Sequence, residues 1–147
     1  MGSEMCIRDR EAADEALATR LVGCLPMPRA ERAALHALFM YEAGILGEAL
    51  NLALTVPSEP DAAEVIGLVA LAHGDMEAAG TMLAARVRAG DPSVRATRGA
   101  VVALRHLRRD QDASALLAIG LEARPHARGL ALLAKDRGEK RGRPRAA

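Results

Sequence analysis

The alternation of apolar and polar positions organises the chain around residues 61–92, DAAEVIGLVALAHGDMEAAGTMLAARVRAGDP. The first half of this stretch is apolar on nearly every side of a helix, at Ala62, Ala63, Val65, Ile66, Leu68, Val69 and Leu71. Such a helix is expected to be packed on more than one face. Gly74 and Asp75 mark a tight turn. The second half is amphipathic: Met76, Ala79, Leu83 and Val87 share one stripe, and Asp75, Glu77, Arg86 and Arg88 fall mostly outside it. Gly67 in the first helix and Ala78, Ala79 and Gly80 in the second are small, so the two helices are expected to touch there. Gly90, Asp91 and Pro92 close the unit.

The same reading extends to both sides. Residues 11–22 predict a short helix, stopped by Gly23 and Pro26. Residues 28–41 predict a second, with Pro28 in its first turn, Glu31 complementing the N-terminal dipole, and Ala34, Leu35, Leu38 and Phe39 on the inner face. It ends near Gly44. Residues 47–56 follow, with Ala49, Leu50, Ala53 and Leu54 inside, and Pro57 to Pro60 is a break. Beyond the central pair, helices are expected over residues 93–107, 110–123 and 126–136, the last with Leu130, Leu132 and Leu133. Residues 137–147, RGEKRGRPRAA, are charged and contain Gly and Pro, and are expected to be disordered alone.

The turns of three helix pairs align. Gly44-Ile-Leu-Gly-Glu-Ala49 stands over Gly74-Asp-Met-Glu-Ala-Ala79, and both stand over Arg108-Arg-Asp-Gln-Asp-Ala113. The alanines are separated by 30 and then 34 residues. A helix-turn-helix unit at such a period implies stacked pairs, because one pair cannot bury its apolar face alone. Half the residues are apolar, yet Phe39 and Tyr41 are the whole aromatic complement. Ala and Leu dominate, which suits close-packed helices rather than a sheet.

At these residues the chain resembles the tetratricopeptide repeat family, over about residues 30–125. Gly67 stands at the family's small position in the first helix, Ala79 at that of the second, Leu83 at the bulky position after it, and Asp91-Pro92 at the closing turn. Ala113, Leu117 and Pro125 match in the third unit, and Ala37, Ala49 and Pro60 roughly in the first. The chain departs from the pattern where the family has first-helix aromatics, here Ala63 and Ala70, and where Val101 takes a small position. The resemblance implies an all-α solenoid of about three α-hairpins within residues 11–136, with flanking helices. It also implies a concave groove that takes a partner peptide or helix. Carried over, the groove positions are Leu38, Tyr41, Leu68, Leu71, Arg98, Val102 and Arg105, apolar at one end and basic at the other, which would suit a partner segment with apolar anchors and acidic character. The carboxylate clamp of co-chaperones in this family needs Lys and Asn where this chain has Ala34 and Leu38. The layout is also similar to the small bacterial type III secretion chaperones that hold translocator proteins, although those tend to be acidic.

Charge divides the chain. Residues 1–85 carry five Arg against thirteen Asp and Glu, a net −8; residues 86–147 carry fifteen Lys and Arg against six, a net +9. The split implies a charged partner surface, self-association of opposite ends, or solvated helix faces. Lys140, Arg141, Gly142, Arg143, Pro144 and Arg145 resemble the AT-hook, whose Arg-Gly-Arg-Pro core lies in a narrow minor groove. DNA association through this segment is therefore an alternative, with a solubilising basic tail the plainer one. The aromatic platforms of single-strand binders are lacking.

Catalysis is not indicated. His36, His73, His106 and His126 are scattered, none has metal-ligand spacing with a carboxylate, and neither a phosphate loop nor a nucleophile elbow is present. Cys6 and Cys24 make neither a disulfide framework nor a zinc site. No cofactor is expected. No apolar run reaches the roughly 18 residues of a membrane span, and a cytoplasmic location is the expectation. The first ten residues, MGSEMCIRDR, resemble translated sequencing-adapter read-through of the kind found in proteins assembled from metagenomic reads, and carry no functional weight.

Overall fold

The computed structural model describes the backbone of residues 2–142, with side chains described for residues 12–17 and 19–136. Eight helices and no strands occur among the described residues: α1 (Gly2–Gly23), α2 (Arg29–Glu42), α3 (Leu46–Leu54), α4 (Pro60–Ala72), α5 (Met76–Arg88), α6 (Val94–His106), α7 (Asp110–Ala123) and α8 (Arg128–Gly142). The chain divides into two compact units, residues 1–69 and 70–147, with the boundary inside α4.

The helix count and most boundaries follow the sequence reading, with four differences at the edges. Pro28 caps α2 rather than entering it, and Pro60 opens α4, where its missing N–H costs nothing. Helix α1 starts at Gly2, so the leader backbone continues into it. Helix α8 runs on to Gly142, so the segment expected to be disordered from residue 137 has helical backbone as far as that glycine.

Three of the connecting turns share one backbone geometry. Gly44, Gly74 and Arg108 lie in the left-handed region at φ of +84°, +81° and +62°. The next residue donates its N–H back across the turn: Ile45 to Met40 O at 2.9 Å, Asp75 to Ala70 O at 2.9 Å, and Arg109 to Leu104 O at 2.8 Å. The left-handed residue itself donates to the carbonyl three before it, at 3.0, 3.1 and 3.1 Å. This is the paired Schellman closure of a helix C-terminus. Ile45, Asp75 and Arg109 then cap the following helix with φ of −88°, −80° and −92°. Five residues after each left-handed residue comes a buried alanine: Ala49, Ala79 and Ala113. The internal repeat is thus a repeat of hydrogen bonds as well as of letters.

In the first unit, one cluster joins Ala34, Ala37 and Met40 of α2, Ala49 and Ala53 of α3, and Ala62, Val65 and Val69 of α4. Five of these eight side chains are alanine, so the helices approach closely and larger side chains lie around the seam. That reverses part of the expected α2 face: Phe39 is exposed, Leu35 half-buried, and Ala37 and Met40 lie inside. Leu54 of α3, expected inside, is exposed for the same reason, while Ala53 beside it is fully buried. Helix α1 packs on α2, where the Thr19 hydroxyl and His36 Nε2 stand 3.2 Å apart.

In the second unit, α6 is the central helix and touches α5, α7 and α8. Ala79, Leu83 and Val87 form the buried stripe of α5, as its pattern predicts. Gly80 faces Ala103 and Leu104 of α6 and Leu107 just beyond it. The start of α5 is capped by Asp75, which accepts from Ala78 N at 3.0 Å, and that of α6 by Ser93, which accepts from Ala96 N at 2.9 Å. Leu116 of α7 and Leu130 of α8 complete the core.

Candidate functional site

The seven groove positions implied by the resemblance fall in both units, and the structure treats them differently. In the first unit, Leu38 and Tyr41 are half-buried and pack against the alanine-rich cluster, leaving part of each at the surface. Leu68, a third groove position, is buried at 4% exposure. The physical reason lies in α4 itself. With Ala62, Val65 and Val69 also buried, this helix turns apolar residues inward over a wide arc, and Leu68 lies within that arc.

In the second unit, Leu71 is half-buried near the end of α4. Arg98 is exposed and Val102 is 40% exposed, one helical turn apart on α6. Arg105 continues that face but is already engaged: its Nη2 donates to the Leu133 carbonyl of α8 at 2.8 Å. That bond ties α6 to α8. Sequence reasoning missed Val94, which is 36% exposed and stands four residues before Arg98. The i, i+4, i+8 spacing of Val94, Arg98 and Val102 was available as a signal and places all three within one face.

Charge on α6 is one-sided. Between Val94 and His106 the helix carries Arg95, Arg98 and Arg105 and no carboxylate. The exposed face is therefore a short apolar strip interrupted by a guanidinium. Helix α8 adds a second surface of like character, a recess of about 400 Å³ lined by Arg128, Ala131, Leu132 and Lys135. Leu132 is 63% exposed there, whereas Leu130 is fully buried.

Of the AT-hook-like segment, Lys140, Arg141 and Gly142 belong to the helical backbone of α8, and Arg143, Pro144 and Arg145 lie outside the described residues. Among the described residues no three His, Cys, Asp or Glu converge to hold a metal ion, and no helix is long and apolar enough to cross a membrane. Cys24 is exposed. The surface chemistry on offer is apolar burial beside fixed positive charge.

No protein-family model matches the chain, and no curated protein or solved structure matches it either.

Proposed function

We propose that this chain is a non-enzymatic interaction module, a tetratricopeptide-like stack of α-hairpins that holds a partner segment of apolar and acidic character. The reading of the hairpins as one repeat rests on the three equivalent turns and the buried alanines Ala49, Ala79 and Ala113. The observation that carries the function is the outer face of α6, where Val94 and Val102 flank Arg98 on a helix without a carboxylate. Covering exposed valines removes apolar area from water, at roughly 25 cal/mol per Å². A guanidinium between them selects partners with a carboxylate at that point through a charge-assisted hydrogen bond. Leu71, Leu38 and Tyr41 offer further partly exposed apolar surface. Binding of this kind needs no cofactor.

The test is a titration of the full chain with a labelled helical peptide bearing Leu at i, i+4 and i+8 and Glu between them. The same peptide with Lys for Glu and an A·T-rich duplex serve as comparisons, each at two salt concentrations. Expected is preference for the acidic peptide, weakened at least ten-fold by Val102→Asp and by Arg98→Glu. Tighter binding of the duplex with steep salt dependence would replace this reading with nucleic-acid association.

A further inference from the structure

Acidic groups are in excess before residue 86 and basic groups from residue 86 on, and the first unit holds a recess that gives the division a location. The recess has a volume of about 480 Å³ and is lined by Met27, Ala34, Leu35 and Pro60, with Glu31, Glu59 and Asp61 around them. Glu31 stands in the first turn of α2 and Asp61 in that of α4. Helix dipoles account for carboxylates at those two places. The same dipole reaches Glu59, whose carbonyl accepts from Ala63 N at the start of α4, but it does not by itself gather three carboxylates around one apolar floor. None of the three has an ion-pair or side-chain hydrogen-bond partner among the described residues. Arg32, on the same helix as Glu31, is turned to the Met27 carbonyl, to which its Nη2 donates at 3.1 Å.

An apolar floor with an acidic rim suits a segment in which a nonpolar group lies between two cations. Residues 137–147 contain one: Arg143-Pro144-Arg145, preceded by Lys140 and Arg141, with Glu139 the single acid in the segment. We infer that the recess is the docking site for this basic segment from a second copy of the chain. Pro144 lies on the floor against Leu35 and Pro60, and Arg143 and Arg145 meet the carboxylates on either side. The contact is head-to-tail, so association continues from copy to copy or closes into a ring. It gives the charge division a use: copies meet with opposite signs facing.

The experiment is sedimentation of the full chain over a hundred-fold concentration range, at low and high salt. Expected is association at low salt that is lost at high salt. Arg143→Glu with Arg145→Glu, and separately Glu31→Arg with Asp61→Arg, each leave the chain monomeric with an unchanged far-ultraviolet dichroism spectrum. An equimolar mixture of the two variants pairs one intact recess with one intact tail and regains a dimer. A labelled synthetic peptide of residues 137–147 binds the full chain, and Glu59→Gln, the mildest change, weakens it about two- to five-fold. A wild-type chain that stays monomeric at every concentration, or peptide binding indifferent to the three carboxylates, overturns the proposal.

Discussion

Gly120 of α7 lies directly against Thr97 of α6, so closely that a Cβ on Gly120 would stand 2.3 Å from Thr97 Cγ2 and 2.8 Å from its Oγ1. Thr97 cannot turn away at little cost. It is fully buried, stiff at its branched Cβ, and its hydroxyl donates to the Ser93 carbonyl at 3.0 Å. Gly120→Ala therefore drives α6 and α7 apart. A net loss of about 2–3 kcal/mol is expected in urea denaturation, despite the better helix propensity of alanine. Adding Thr97→Ala removes both offending atoms and leaves only the Cβ contact at 3.0 Å, so the double variant should recover much of the loss. Strictly additive losses would show that the close approach is not what limits this site.

Gly80 of α5 makes the contrasting case. A Cβ there would meet Leu104, Leu107 and Ala103 at 3.5 to 3.7 Å, which is ordinary contact. Nothing needs to move, and the helix interior gains. Gly80→Ala is expected to stabilise the second unit by about 0.5–1 kcal/mol, read as a higher denaturation midpoint at unchanged slope. Destabilisation would mean that the seam between α5 and α6 is tighter than its distances indicate.

These two glycines show where sequence reading runs out. Both sit inside amphipathic helices, and no local pattern distinguishes the one that must be glycine from the one that need not be. What was legible is local: helix spans and the equivalence of Gly44, Gly74 and Arg108, because a helix terminus is closed by its own neighbours. The inward face of α2 was misjudged by giving weight to size. Leu35 and Phe39 are bulky, yet Ala34 and Ala37 let the helices meet, and the bulky groups are left at the edge. Of the candidate site, Arg98 and Val102 were carried over from the family resemblance, and the structure leaves both exposed. The engagement of Arg105 was not legible, since its acceptor is a backbone carbonyl 28 residues further on.

The three equivalent turns yield a prediction of opposite signs. Arg108 holds φ of +62°, a conformation that an L side chain adopts at a cost, whereas glycine holds it freely. Arg108→Gly should therefore raise stability by about 0.5–1 kcal/mol. Gly44→Ala and Gly74→Ala meet no atom within 4 Å, so their cost is conformational alone and should be about 1 kcal/mol each. Denaturation midpoints of the three variants check this directly. Destabilisation by Arg108→Gly would point to a role for the arginine side chain beyond the turn.

Two arginine contacts of nearly equal length are expected to differ in worth because their surroundings differ. Arg124 meets Asp91 at 2.7 Å, but their side chains are 47% and 86% exposed, and such a pair contributes little against solvent screening and side-chain entropy. Arg124→Ala should change stability by less than about 0.5 kcal/mol. Arg105 donates to the Leu133 carbonyl at 2.8 Å from a half-buried position, and it joins α6 to a helix in which, among the described residues, only Leu130 is fully buried. Arg105→Ala should cost about 1–2 kcal/mol in the protection of α8 amides, with the amides of α5 much less affected. Hydrogen exchange resolved by helix separates the outcomes. Equal loss across α5 to α8 would make Arg105 a determinant of the whole unit, and no loss at α8 would show that Leu130 alone holds that helix in place.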